Sequence, residues 1–372
     1  VVTPAVIIFA PSRQSNSLGR ALSVADLASA AGMDVELVAP DDGPIWAGAS
    51  RYGVGAHTYS SSRQLTRRLE ATYAGLAPIV WSVKPLAPSW RPALMAARTL
   101  NAPLVLDVDD HDAALSAEFR ALSTTNRLKL HRFRPLHPTR IRQVLDEAGR
   151  EADGLTVSSW ALKDGVELGS WSQPSLRVPH PRDVGHPVRA PARAEHVRVG
   201  FFGTARAHKG TAAIRRLILR RHDVVLHAFA GGRPEGGWNL PLEQLREHQI
   251  DESMAQTYGA VDVVVLPQDT TPGAALQLPA KLVDALQHGV PVVSTPTPAV
   301  RELAGDTVFY VDDWTDDGAV DRQLDAALTE RSEDRHRRLD AFEQTLSYAA
   351  QSDPLRQFFS RLATNTKHRA AT

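Results

Sequence analysis

Val197-Arg198-Val199-Gly200-Phe201-Phe202-Gly203-Thr204-Ala205-Arg206-Ala207-His208-Lys209-Gly210 passes from a β-branched and aromatic run into a turn of small residues, and a helix-like stretch follows. A strand that leads through a glycine turn into a helix is the repeating unit of a parallel sheet covered on both faces. The alternation continues at Val224-Val225-Leu226, Val263-Val264-Val265, Pro291-Val292-Val293 and Val308-Phe309-Tyr310. An earlier series occupies Val6-Ile7-Ile8-Phe9, Val35-Glu36-Leu37-Val38, Pro78-Ile79-Val80-Trp81, Leu104-Val105-Leu106 and Gly154-Leu155-Thr156-Val157. Two such series predict an α/β protein of two doubly wound, Rossmann-like parallel-sheet domains facing a cleft.

Between the series, Val178 to Pro187 and then Ala190 to Arg193 are rich in Pro, Gly and charge and show no periodicity, which marks a linker. The expected organisation is an N-terminal domain over 1–185, a linker over 186–196, a second domain over 197–348 and a terminal helix in 349–372. That helix carries Leu355, Phe358, Phe359 and Leu362 on one face, which must be buried, and its polar end from Asn365 reads as frayed.

Composition narrows the chemistry. The 372 residues hold 42 Lys+Arg against 42 Asp+Glu, 43% hydrophobic residues and no cysteine. Disorder, a disulfide framework, thiolate metal sites and a cysteine nucleophile are excluded. The balanced charge removes the general argument for nucleic-acid binding. Apolar runs such as Val261 to Pro267 fall far short of the ~18 to 20 residues that span a bilayer. The N-terminal residues lack the pattern of a signal peptide, so a cytoplasmic location is expected.

In the quoted turn, Gly203 lets the backbone approach a ligand, and Arg206 and Lys209 bring two cations to the end of the sheet beside a helix N-terminus. This suits a diphosphate, although a solvated basic turn would have the same composition. Downstream, Pro279 opens a helix, Lys281 lies in its first turn, Asp284 follows three residues later, and Gly289 ends it before Pro291-Val292-Val293. Asp284 could accept hydrogen bonds from a ribose diol while Lys281 meets phosphate. The alternative is an exposed helix pair worth ~0.3 kcal/mol. The small-residue loop Thr270 to Ala275, with Gly273, lets a ligand approach its backbone.

These two elements, in this order, resemble the nucleotide-sugar half of GT-B fold glycosyltransferases, especially the family 4-like group. The family's Gly…Arg…Lys-Gly turn stands as Gly203, Arg206, Lys209 and Gly210. Its Pro-x-Lys-Leu-x-acid…Gly-x-Pro segment stands as Pro279, Lys281, Leu282, Asp284, Gly289 and Pro291. Val157-Ser158-Ser159 and the Val178-Pro179-His180 turn are also similar to the family. The resemblance implies GT-B architecture, a terminal helix crossing back to the first domain, and a nucleoside-diphosphate sugar as substrate, with no cofactor and no metal. It also implies retention at the anomeric carbon.

One departure stands out. Many members carry two glutamates with seven residues between them, and here the first of those positions holds Leu276 while the second holds Asp284. Asp269 and Gln277 flank the gap as alternative contacts to the donor sugar.

In the first domain, the loop Ser12 to Arg20 resembles the family's glycine loop, with Asn16 and Gly19 as cleft-facing candidates and helix capping by Asn16 or Ser17 as the alternative. Asp107-Val108-Asp109-Asp110-His111-Asp112 ends the fourth strand. Three readings apply: a hard-cation site, a sugar or acceptor contact through Asp110 or His111, or helix capping by the aspartates. The stretch Arg127 to Arg142 is basic and contains no acid, which fits an anionic acceptor, an anionic membrane surface or a solvated face.

The expected function is transfer of a sugar from a nucleotide sugar to an acceptor hydroxyl or amine on a small molecule, glycan or lipid-linked compound. Arg206 and Lys209 would stabilise the departing diphosphate. A sugar-nucleotide epimerase and a catalytically idle binding protein are the alternatives. A dinucleotide oxidoreductase is disfavoured, because no Gly-x-Gly-x-x-Gly follows a first strand.

Overall fold

The computed structural model describes residues 4–370 except 15, 167, 169, 189–194 and 235. Most of the expected linker, 189–194, therefore lies outside the described residues. The chain divides into two compact units, one formed by Val1–Pro181 with Tyr348–Thr372 and the other by Arg182–Ser347.

The first unit holds seven strands: β1 (Ala5–Phe9), β2 (Asp34–Pro40), β3 (Ala56–Tyr59), β4 (Ile79–Val83), β5 (Leu104–Val108), β6 (Gly154–Val157) and β7 (Ser175–Arg177). They pair in the order β3-β2-β1-β4-β5-β6-β7, each pair parallel. The second unit holds β8 (Val197–Phe201), β9 (Val224–Phe229), β10 (Leu245–His248), β11 (Val263–Leu266), β12 (Val292–Ser294) and β13 (Phe309–Tyr310). Their order is β10-β9-β8-β11-β12-β13, again parallel throughout. Two doubly wound sheets are thus present, as the alternation of runs predicts. In each, the order reverses beside the first strand of the series, between β1 and β4 and between β8 and β11, and such a reversal opens a crevice at the carboxyl ends of the strands.

Central strands carry continuous apolar runs because helices cover both of their faces. Val6, Ile7, Ile8 and Phe9 of β1 have no solvent exposure, and Val263 and Val264 of β11 are equally buried. Three strands that the apolar runs do not reveal, β3, β7 and β10, all lie at sheet edges. Their sequences, Ala-His-Thr-Tyr, Ser-Leu-Arg and Leu-Arg-Glu-His, are half-buried and polar, as an edge requires.

The terminal helix, Tyr348–Ala370, is longer than its apolar face suggests and continues past Asn365, where the polar composition predicts fraying. Leu355, Phe358, Phe359 and Leu362 join Val6, Ile8 and Trp81 in the core of the first unit. Phe359 meets the Trp81 ring edge-on at 5.3 Å. β6 begins with a glycine for this reason: a Cβ on Gly154 would stand 2.8 Å from both Leu362 and Phe358. At about 1.5–3 kcal/mol for each buried side chain, this face is a major part of the unit's core.

Residues just after Pro181 pack on the second unit instead of forming a free linker. The His186 N–H donates to the Gln287 carbonyl at 2.9 Å, and the rings of His186 and His288 stack at 6.4 Å.

Candidate functional site

The turn after β8 is shaped by Gly210. Its φ of +68° lies in the left-handed region, and a Cβ there would stand 1.7 Å from the Pro267 carbonyl oxygen. Only glycine fits. That contact binds the 203–210 turn to the end of β11 across the switch point, and the Asp269 N–H donating to the His208 carbonyl at 2.9 Å adds to it. On the other side, the Ala205 N–H donates to the Gly232 carbonyl at 2.7 Å. Three loops at the carboxyl edge of one sheet are thereby held as one surface.

Lys281 lies beneath this turn. The helix Ala280–Gln287 opens after Pro279 and buries both Lys281 and Asp284, so the exposed-pair reading is overturned. The Lys281 ammonium sits 3.8 Å from the centre of the Phe201 ring, and a Cβ on Gly203 would be 3.2 Å from Nζ. Gly203 therefore leaves room for a lysine head. Burial, together with the charge of nearby Lys209, holds the Lys281 ammonium well below the usual lysine range, and Asp284 opposes that pull. A buried ammonium whose charge is disfavoured by burial and by a neighbouring cation favours an anion beside it. Arg206, exposed on the same turn, makes no ion pair among the described residues.

Asp284 is not held by Lys281. The Arg182 guanidinium donates through Nε to its Oδ1 at 2.7 Å, with both side chains largely buried. Arg182 is a site residue that sequence reading missed. Its partner is distant in sequence, and the only signal was a basic residue in the Pro-rich stretch. Gly273 is buried in the short helix Pro272–Ala275, and the Gln268 amide donates to the carbonyls of Ala274 and Gln277 and so braces that loop. Gln277 is half-buried, while Asp269 is exposed at the end of β11. Leu276 follows the short helix directly.

In the first unit the acidic stretch is engaged by two cations. Asp107 is fully buried and receives Arg20 through Nε at 2.9 Å and a terminal nitrogen at 2.7 Å, with the Thr156 hydroxyl at 2.7 Å. The Lys84 ammonium lies 2.6 Å from Asp109, 3.0 Å from Asp110 and 3.4 Å from Asp112. Lys84 follows β4 with φ at +66°, which turns its side chain to this cluster. Burial raises the Asp109 carboxyl to about 6 and that of Asp112 to about 7, and the mutual repulsion of the carboxylates adds to the rise. The three aspartates that Lys84 holds therefore share one ammonium, and Asp109 and Asp112 keep their protons to a higher pH than an ordinary carboxyl does. No group of three or more His, Asp or Glu among the described residues is arranged to hold a metal ion.

The capping readings are also corrected. His111, not an aspartate, occupies the cap position of the helix Asp112–Ala121, and its side chain makes no capping bond. Asn16 precedes the helix Ser17–Ala30 without a side-chain cap. Gly19 is inside that helix, where a Cβ would stand 3.0 Å from the Trp46 ring. Arg20, Lys84 and Arg182 are the charged groups that the sequence did not single out.

Residues 198–328, about a third of the chain, match the family described as glycosyl transferases group 1. No curated protein matches the chain in sequence. Among solved structures it is similar to sucrose-phosphate synthase from Thermosynechococcus elongatus, at 13% identity and a TM-score of 0.68 over 98% of this chain and 100% of that one. It is similar to Anabaena Alr3699/HepE, solved in complex with UDP, at 14% identity and a TM-score of 0.67 over 97% and 100%. It is also similar to the catalytic domain of starch synthase IV from Arabidopsis thaliana, bound to ADP and acarbose, at 12% identity and a TM-score of 0.63 over 98% and 100%. The chain has the GT-B glycosyltransferase fold, and its second unit carries the group 1 segment, as the motif resemblance implies.

Proposed function

We propose that this GT-B fold chain, with its group 1 glycosyltransferase segment, moves a sugar from a nucleoside-diphosphate sugar to an acceptor hydroxyl or amine. The observation that carries the reading is the buried Lys281 ammonium against Gly203, close enough to Lys209 of the same turn to be destabilised by its charge until an anion arrives. Solved relatives of this fold in complex with UDP, UDP-glucose or ADP support a nucleotide sugar as the donor.

In this reading the diphosphate lies against Lys209, Lys281 and Arg206, with the backbone near Gly273 assisting. Asp284, oriented by Arg182, accepts the ribose hydroxyls. As the bond from the anomeric carbon to the diphosphate oxygen breaks, negative charge grows on the leaving group, and the cations act where it grows. Retention follows if the departing phosphate oxygen takes the acceptor's proton on the face it leaves. Stabilisation by cations, with no metal and no cofactor, fits the engagement of the acidic stretch by Arg20 and Lys84. In this reading Asp269 and Gln277 are the candidate contacts to the donor sugar, and Asp110 and His111 are the first unit's candidates for the acceptor. Asn16 and Gly19 stand near the start of their helix as acceptor-side positions. The reading keeps a cytoplasmic setting; no helix among the described residues is long and apolar enough to cross a membrane.

The test is a thermal-shift panel of nucleoside diphosphates and their sugars on wild type and Lys209→Ala. Binding at a hundredfold excess over Kd stabilises by about 2.7 kcal/mol. One nucleotide should stabilise wild type and lose its effect in the variant, and sugar transfer should fall about a hundredfold. A panel without any shift would remove the reading.

A further inference from the structure

The molecule exposes few large apolar side chains, and they are unevenly placed. Of the eleven exposed among the described residues, five fall between Phe119 and Leu136. Leu122, Leu128 and Phe133 are each about two-thirds exposed, at 65%, 71% and 67%. They stand on the helix Thr124–Lys129 and the turns around it, before the helix Pro138–Glu151. Scattered single apolar residues need no explanation, whereas a concentration of this kind does.

The same segment is strongly basic. Arg120, Arg127, Lys129, Arg132, Arg134, Arg140 and Arg142 occur between Phe119 and Leu145 with no Asp or Glu. All but Arg120 are exposed, and none of the seven is in an ion pair with an acid among the described residues. The Arg132 guanidinium lies over the Phe133 ring at 4.8 Å, so cation and aromatic face solvent together. His137, beside Arg120 at 2.6 Å, has its basicity lowered by burial and by the charges of Arg120 and Arg140, which confirms the local excess of positive charge.

A soluble polyanion would use the cations and leave Leu122, Leu128 and Phe133 in water. An acidic lipid surface uses both, with phosphates meeting the cations while the apolar side chains enter the headgroup boundary. We propose that the face built by residues 119–142 docks on an anionic membrane surface. The proposal is independent of the donor site, which lies in the other unit.

The experiment is vesicle sedimentation of the full chain with phosphatidylcholine alone or mixed with phosphatidylglycerol, and heparin as a soluble polyanion control. Binding should require phosphatidylglycerol and weaken with salt. Arg132→Gln with Arg134→Gln should reduce it about 25-fold, about fivefold for each cation. Leu128→Ser with Phe133→Ser should weaken vesicle binding and leave heparin binding unchanged. These side chains are exposed, so both variants should keep the wild-type melting temperature and nucleotide response. Failure of wild type to sediment with acidic vesicles would overturn the proposal. So would vesicle binding that ignores the Leu128 and Phe133 changes, since the face would then be a site for soluble polyanions.

Discussion

Gly210→Ala isolates the contact on which the donor site depends. Two effects add: the left-handed backbone at φ +68° and a Cβ that would lie 1.7 Å from the Pro267 oxygen and 2.6 Å from its carbonyl carbon. The first costs about 1–2 kcal/mol. The second cannot be relieved by a side-chain rotation, because the obstacle is backbone, and forced displacements of this type cost about 1–3 kcal/mol. Together they predict a loss of about 2–5 kcal/mol, or roughly 4–20 °C in the midpoint of the second unit. Gly236→Ala provides the internal comparison, since its φ is +83° with nothing within 4 Å of the added Cβ. It should lose only the backbone share, about 1–2 kcal/mol. Scanning calorimetry measures both, and a titration of the folded proteins with the nucleoside diphosphate that stabilises wild type measures the consequence. Gly210→Ala should lose nucleotide stabilisation because the turn carrying Lys209 is pushed off β11, and Gly236→Ala should keep it. Equal destabilisation of the two variants, with nucleotide binding intact in both, would refute the close approach of the turn to Pro267 and the site built on it.

Binding of a nucleoside diphosphate should take up a proton, because the anion restores the depressed ammonium of Lys281. Calorimetric titration in buffers of different ionisation enthalpy will show an uptake that Lys281→Met abolishes. Arg20→Met leaves Asp107 buried without its guanidinium and should cost about 3–5 kcal/mol, whereas Arg20→Met with Asp107→Leu should cost much less, as denaturant unfolding will show. Asp109 and Asp112 titrate near 6 and 7 in the folded protein, above the ordinary carboxyl range, so the folded state holds more protons than the unfolded one between about pH 4 and 7. Their contribution is therefore fully present below that window and is lost as pH rises through it. Asp112→Asn should flatten this slope in unfolding measured across the window, and an unchanged slope would count against the shared-ammonium account.

The central strands were legible because burial on both faces demands unbroken apolar runs, and β1, β8 and β11 show them. β3, β7 and β10 were not, because an edge strand needs only one covered face and tolerates His, Arg and Glu. The turn from Gly203 to Gly210 was legible through its glycines and cations. What it packs against was not. Gly210 meets Pro267 and Gly203 makes room for Lys281, contacts between segments that the fold alone brings together. Charge pairing was the least readable layer: Asp284 stands next to Lys281 on its helix yet is held by Arg182, and the acidic run after β5 is matched by Lys84 and Arg20 from other elements.

The helix Tyr348–Ala370 belongs to the first unit, although the whole of Arg182–Ser347 precedes it in the chain. As the polypeptide is synthesised, the second unit is complete while the first still lacks Leu355, Phe358, Phe359 and Leu362, and Trp81 and Gly154 have no cover on that side. The unit begun first is thus the unit finished last. Arg182 and Ser347 form a parallel bridge, so the chain enters and leaves the second unit at one place. The second unit can fold as a closed loop held at its base and later deliver the helix that completes the first.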